Sequence, residues 1–517
     1  MKRKGASGMS LSSLGYFALL PVTALCYYLF PRRCQNAVLA LASLVFLGSS
    51  LPDGPQWWVP LAALAAVTLG VFFIGRALPR SRRKKALLWL GVGGCLLLLA
   101  VFKYTNAVLP VLFGPDIGSL CFPLGISFYS FAAISYLVDV SRGDIPAETN
   151  LLHFAVFTGF FATISSGPIC RGGEVLPQLK NPRSFDVSRT VDALRLFALG
   201  LFKKVAVSDV LAMYVDQVFA GYSTHGGLSL LAAAAGYSLV LYFDFSGYSE
   251  MARASGLLLG IRLPENFKTP YFSTNFSGFW SRWHISLSSW LQDYLFMPLV
   301  WGRWTSRLPI IGKKVTKPPM ISSVAVVFFL SGFWHGSTLP FVVWGILQAV
   351  YRVGEELLHQ KLGKPKKKAP AHTVWAKRAA VFALWTLSLV FFKMGSGADG
   401  KLFTVQDGFA YLAGMVQGLS PARFAGEWLA DVQAGFYAKP VMAAGWLVFI
   451  ALTLALAFWL DWRRNFACKN RPAEQMLASL SPRVRWCVYY ALVIVILIGL
   501  VMQSGGLNAP GFAYANF

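Results

Sequence analysis

Two of the six histidines in this chain stand where an imidazole could do chemistry. The six are His153, His225, His284, His335, His359 and His372. His335 is the only histidine, acid or base between Ile321 and Val350, the apolar part of the stretch Ile321–His359. His284 stands in a row with Ser281, Ser288 and Gln292, spaced as one face of a helix. Imidazole titrates near working pH, so either ring could take a proton from an attacking hydroxyl. A structural histidine in a polar pocket would fit the same positions. The two lie 51 positions apart, so spacing does not give their separation. There is no HExxH, EF-hand loop, Walker A loop, GxGxxG turn or GxSxG elbow. Metal, nucleotide and redox chemistry therefore lack support, and no metal site is expected.

The elements that must hold these groups are membrane helices. Of 517 residues, 56% are apolar, 15% aromatic and 13% charged, with a mean hydropathy of +0.55. Those values predict an all-α, polytopic transmembrane bundle of about 11–14 membrane segments, some of them re-entrant. The whole chain, 1–517, reads as one transmembrane domain, with its motif-bearing core over 120–360 and further helices and a tail over 377–517. The net charge of +25 comes from 47 basic against 22 acidic residues. The basic residues cluster in short loops, which suits topology and lipid headgroups rather than nucleic acid. Seven cysteines without a CxxC pair suggest neither a disulfide framework nor a zinc site. The first apolar run, Leu11–Phe30, has the length of a span and no cleavage site for a signal peptidase.

Further spans are expected at Asn36–Ser50, Trp57–Gly75, Ala86–Val101, Leu120–Val140, Leu228–Phe245, Lys377–Phe392, Val441–Leu460 and Val488–Val501. The basic run Arg76–Lys85 marks a cytoplasmic loop. Leu151–Gly167 has basic residues close behind it and is expected to be re-entrant. Val191–Tyr214 carries Lys203 and Lys204 in mid-run, which a lipid-facing helix would not tolerate cheaply.

The segment around His335 is flanked by basic runs, Arg303–Lys317 and Lys361–Lys368. If both are cytoplasmic, the chain between them must enter the membrane and return as a hairpin. The first arm, Ile321–Trp334, rises roughly 21 Å, short of a hydrocarbon thickness of roughly 30 Å. The apex Trp334-His335-Gly336-Ser337 then stops at membrane depth, where an ionisable residue is a functional candidate. The stretch Asn266–Val300 reads as an amphipathic helix from Phe276 onward. Phe279, Trp283, Leu287 and Trp290 lie on one face and the His284 row on the other, so it should border the cytoplasm or line a cavity.

Several motifs together resemble bacterial membrane-bound O-acyltransferases. They are PLGISFYSF (Pro123–Phe131), SSGPICR (Ser165–Arg171), FDFSGYSEMA (Phe243–Ala252), PENFKTPY (Pro264–Tyr271), RWHISLSSWLQDYLFMPL (Arg282–Leu299) and SGFWHGSTLPFVVWG (Ser331–Gly345). The similar branch contains the alginate and peptidoglycan O-acetylation proteins and the teichoic acid D-alanyl transfer protein. The resemblance implies a helical funnel around a buried histidine, which falls on His335, with His284 as the second motif histidine. It implies no bound cofactor. An acyl thioester, on CoA or a phosphopantetheinyl carrier protein, enters from the cytoplasm as substrate. Expected along the donor tunnel are Ser281, Arg282, Trp283, Ser288, Gln292, Trp334, Asp244, Tyr248 and Asn266. The segment Ser273–Gly278 and Gln292 depart from the family's more charged pattern, which bears on which carrier docks.

The C-terminus, Phe512-Ala-Tyr-Ala-Asn-Phe517, matches an aromatic tail pattern of this branch. It implies that Tyr514 carries the acyl group briefly before an extracytoplasmic, SGNH-type esterase-like partner moves it to a polysaccharide. An aromatic tail packed at the interface would look the same. The expected activity is thus O-acyl transfer, with acetyl as the expected group, in a multi-pass protein of the bacterial inner or plasma membrane surrounded by lipid. Competing readings are D-alanyl transfer to teichoic acid, a transporter using Asp244, Glu250, Lys203 and Lys204, and a scaffold with structural histidines.

Overall fold

The computed structural model describes residues 8–113, 119–301, 320–362, 369–397, 401–435 and 440–505. The regular elements among them are helical, as expected. Among the described residues, six helices are long and apolar enough to cross a membrane: Val59–Arg80, Lys84–Val108, Gly227–Leu258, Ala371–Ser396, Ala443–Ala467 and Pro482–Met502. Their outward residues include Leu97 and Val501, 66% and 69% exposed. Apolar side chains in such rows belong against lipid, where the helix ladder leaves no backbone group unpaired. The tail with Phe512, Tyr514 and Phe517, and most of the basic runs flanking the hairpin, lie outside the described residues.

The chain divides into two compact units. The first comprises Met1–Gly200 and Tyr248–Glu265. It contains α1 (Leu14–Leu29), α2 (Gln35–Gly48), α3 (Val59–Ala77), α4 (Lys84–Phe113), α5 (Ile126–Arg142), α6 (Leu151–Gly159), α7 (Gly172–Lys180) and α8 (Val187–Leu201). Glycine sets the limits of α5, because Gly125 and Gly143 both take left-handed φ, 73° and 86°. At Gly125 a Cβ would also fall 1.6 Å from the Ile164 carbonyl oxygen, so no other residue fits the start of this helix. Beyond α5, the buried Glu148 carboxylate accepts from the Thr149 and Asn150 amides and pairs with Lys180 at 3.0 Å. The expected re-entrant piece Leu151–Gly167 is α6 followed by non-helical backbone, too short to span.

The second unit comprises Leu201–Gly247 and Asn266–Phe517. Its helices are α9 (Asp209–Ala220), α10 (Gly227–Leu258, whose last residues fall in the first unit), α11 (Phe276–Trp280), α12 (Ile285–Leu291) and α13 (Met297–Trp301). There follow α14 (Met320–His335), α15 (Leu339–Leu362), α16 (Ala371–Ser396), α17 (Val405–Gly414), α18 (Pro421–Gly435), α19 (Pro440–Trp462), α20 (Ala473–Ala478) and α21 (Pro482–Gly505). The mid-run lysines lie in a π-helical segment, Phe202–Ser208, buried throughout. There the Lys204 ammonium contacts Asp209 at 2.6 Å and Asp244 at 2.7 Å. Two carboxylates around one ammonium make its burial tolerable.

Candidate active site

The hairpin expected around His335 is present as α14 and α15. Its arms close on glycine: a Cβ on Gly332 would lie 2.6 Å from the Phe341 carbonyl oxygen and 2.9 Å from Gly345 Cα. Small residues allow this approach, as in tightly packed membrane helices. His335 ends α14, buried to 3% exposure. Its ring meets Trp344 edge-on at 5.0 Å and Phe392 at 5.0 Å. Gly336 has no room for a side chain, since a Cβ would strike the Phe341 ring at 2.3 Å. The histidine therefore sits in an aromatic cup whose walls come from α15 and α16.

His284 is held differently from what helical spacing predicted. The expected continuous amphipathic helix from Phe276 to Tyr294 is broken. α11 stops at Trp280, His284 takes the left-handed region at φ 43°, ψ 54°, and α12 starts after it. Competing backbone partners cause the break. The Lys268 amide donates to the Arg282 carbonyl at 3.0 Å and the Ile285 amide to the Asn266 carbonyl at 2.9 Å. The Asn266 side chain accepts from the Ser286 amide at 3.2 Å. Such a conformation costs a non-glycine residue about 1–3 kcal/mol, and strained backbone of this kind concentrates at functional positions. The His284 ring lies edge-on to Phe245 at 4.6 Å. Burial pushes its pKa down to about 3, so the imidazole is neutral.

Both histidines line one cavity of about 510 Å³, formed entirely by the second unit. On α14 the lining residues Ile321, Val324, Phe328, Ser331 and His335 form a helical stripe along the whole first arm. These residues span roughly 22 Å of helix rise, from Met320 to His335. Lined from the first residue of α14 to the last, the cavity is an elongated channel. Trp344, Trp385, Leu389 and Phe392 wall the His335 end, while Arg352, Glu356 and Gln292 supply polar groups elsewhere.

Of the expected donor-tunnel residues, Ser281, Trp283, Ser288 and Gln292 line the cavity together with both histidines. Arg282, Trp334, Asp244 and Asn266 are not among its lining residues, for local reasons. Arg282 turns to the Asn465 side chain at 2.9 Å. Asp244 is engaged by Lys204, and Asn266 serves the backbone of α12. Trp334 packs beside its neighbour His335, with ring centroids 4.6 Å apart. Tyr248 belongs to the first unit, where its hydroxyl is hydrogen-bonded to that of Ser165. Sequence reasoning missed Arg352 and Glu356, four residues apart inside a helix otherwise read for its apolar length. It also missed the α16 face Trp385, Leu389 and Phe392, whose i, i+4, i+7 spacing was available as a signal.

Residues 140–392 match the membrane-bound O-acyltransferase family. That interval holds every residue lining the cavity. The chain is 36% identical over 362 residues to the probable alginate O-acetylase AlgI of Pseudomonas putida, covering 67% of this chain and 70% of that protein. It is 30% identical over 374 residues to the peptidoglycan O-acetyltransferase of Helicobacter pylori, covering 65% and 68%. It is 30% identical over 234 residues to the teichoic acid D-alanyltransferase of Bacillus subtilis, covering 44% and 57%. The chain belongs to the membrane-bound O-acyltransferase family. It is a multi-pass membrane protein and an acyltransferase.

Proposed function

We propose that this enzyme moves an acetyl group from a cytoplasmic thioester, on CoA or a phosphopantetheinyl carrier protein, toward a cell-surface polysaccharide outside the bacterial inner or plasma membrane. The observation that carries the reading is the single elongated channel lined by both His335 and His284. An elongated channel suits a thioester arm, and the alginate O-acetylase relatives supply acetyl and polysaccharide as the groups exchanged. His335 is the general base. An acceptor hydroxyl attacks the thioester carbonyl while the neutral imidazole takes its proton. The C–S bond breaks, the thiolate leaves, and the imidazolium returns the proton to it, so an ester and a free thiol result. The thioester supplies the driving force, and neither ATP nor metal enters the balance. His284 lines the donor path.

Tyr514 is the proposed first acceptor. It passes the group to an extracytoplasmic SGNH-type partner, and neither nucleic acid nor a bound cofactor takes part. The experiment is proteoliposomes given labelled acetyl thioester, followed by mass spectrometry of the protein. Label on Tyr514 supports the relay; label found only elsewhere refutes it. The D-alanyltransferase relative favours one second reading, D-alanyl transfer to teichoic acid. Turnover of D-alanyl thioester in preference to acetyl thioester would replace the acetyl assignment.

A further inference from the structure

The channel has a second chemical feature besides its histidines. Gly332 faces Gly345 in an antiparallel hairpin, so residue numbers at the same level on the two arms sum to a constant. This register brings Arg352 and Glu356 level with the first turns of α14, away from His335. Arg352 lines the cavity and is the only lysine or arginine among its described lining residues. Its guanidinium is aimed: one nitrogen contacts Glu355 at 3.0 Å, and Glu355 in turn accepts from the Ser277 amide at 3.1 Å. Tyr351 stacks on Phe276 at 4.9 Å and fixes the same junction of α11 with α15. Glu356 is tied back along the helix by Gln360 at 3.1 Å. Roughly 15 Å of helix rise separates the Arg352 level from His335. That is comparable to the reach of an extended pantetheine thioester.

We propose that Arg352 is a donor-specificity residue that binds the phosphate of a phosphopantetheine arm when the arm's thioester reaches His335. The inference rests on the thioester-donor reading above and adds the group that reads the donor's far end. An arginine held by one carboxylate keeps further N–H donors for a phosphate, and charge-assisted bonds of this kind are strong. The amide and methylene portion between phosphate and thioester would lie along the apolar α14 stripe.

The test compares acetyl-4′-phosphopantetheine with acetyl-pantetheine, probes differing only in the phosphate, by titration into the full chain in nanodiscs. Wild type should bind the phosphorylated probe about tenfold or more tightly. Arg352→Gln should lose that preference and keep its affinity for acetyl-pantetheine, while Arg352→Lys should retain part of it. Equal binding of the two probes by wild type overturns the proposal, as does an equal loss of both in Arg352→Gln. If wild type binds neither thioester, the donor reading itself falls and this inference with it. Repeating the comparison with acetyl-CoA and with an acetyl-phosphopantetheinyl carrier protein separates the sources. Dependence on Arg352 in one assigns the phosphate to that donor; dependence in neither overturns the proposal.

Discussion

Gly332 and Gly345 meet across the hairpin with their backbones in contact: a Cβ on Gly332 would lie 2.9 Å from Gly345 Cα. That contact sets the register of the two arms and so decides which residues of α15 look into the channel. Gly332→Ala should cost about 1–3 kcal/mol of stability, as overpacked interiors do. It should also lower turnover by displacing His335 relative to Trp344. Thermal unfolding in detergent, read beside turnover, checks both. An alanine variant with wild-type melting and rate would mean that the arms can separate freely.

The buried Lys204–Asp209–Asp244 cluster is assigned a structural part here, against a role in ion passage. Lys204→Met removes the ammonium that both carboxylates contact and should cost about 3–5 kcal/mol. Adding Asp209→Asn and Asp244→Asn should recover much of that loss. A single variant that melts like wild type but abolishes ion flux across proteoliposomes would support the transporter reading instead.

At the start of α10, His225 joins a loop to α18. Its Nε2 lies 3.1 Å from Asp431, and its Nδ1 lies 2.8 Å from the Gly221 carbonyl oxygen. The hydrogen bond to Asp431 holds its pKa above the usual histidine value, with Gly221 and the charges of Asp431 and Glu427 acting in the same direction against burial. A raised folded pKa means that the stabilisation is fully present below the unfolded pKa of about 6.5 and is lost as pH rises through the folded value. Hydrogen exchange at Gly221–Ser229 should therefore accelerate on raising the pH from 6 to 9, beyond the intrinsic base-catalysed increase. In Asp431→Asn this excess should shrink.

Phe392 and Trp344 wall the end of the channel at His335, which predicts a short acyl group. Phe392→Ala should improve butyryl relative to acetyl transfer by roughly tenfold, the scale at which apolar pockets discriminate methylenes. Competition between the two thioesters measures it; an unchanged ratio would remove Phe392 from the acyl pocket.

The hairpin was legible because two signals agreed, basic flanks and an arm too short to span. The six long helices were legible from apolar length alone. The Phe276–Tyr294 region was not, because helical periodicity is blind to partners from elsewhere in the chain. Asn266 and Lys268 take backbone bonds that a continuous helix would have used internally, and His284 is turned out as a result. The side-chain spacing nevertheless grouped residues that share one cavity, since Ser281, His284, Ser288 and Gln292 all line it. The place of Asp244 beside Lys204 was not legible for a related reason. Its partner Lys204 lies forty positions away, and no local pattern links them. Arg352 was not legible because nothing in the local spacing of α15 shows what its charged face meets.

The central claim is that His335 performs the proton transfer at the end of the channel. Its direct measurement is single-turnover acyl transfer from labelled acetyl thioester in proteoliposomes, comparing wild type with His335→Ala at equal folded protein. A fall of about 100- to 10,000-fold is expected, the usual contribution of a positioned general base, with thioester binding retained. A His335→Ala protein that turns over at the wild-type rate would contradict it.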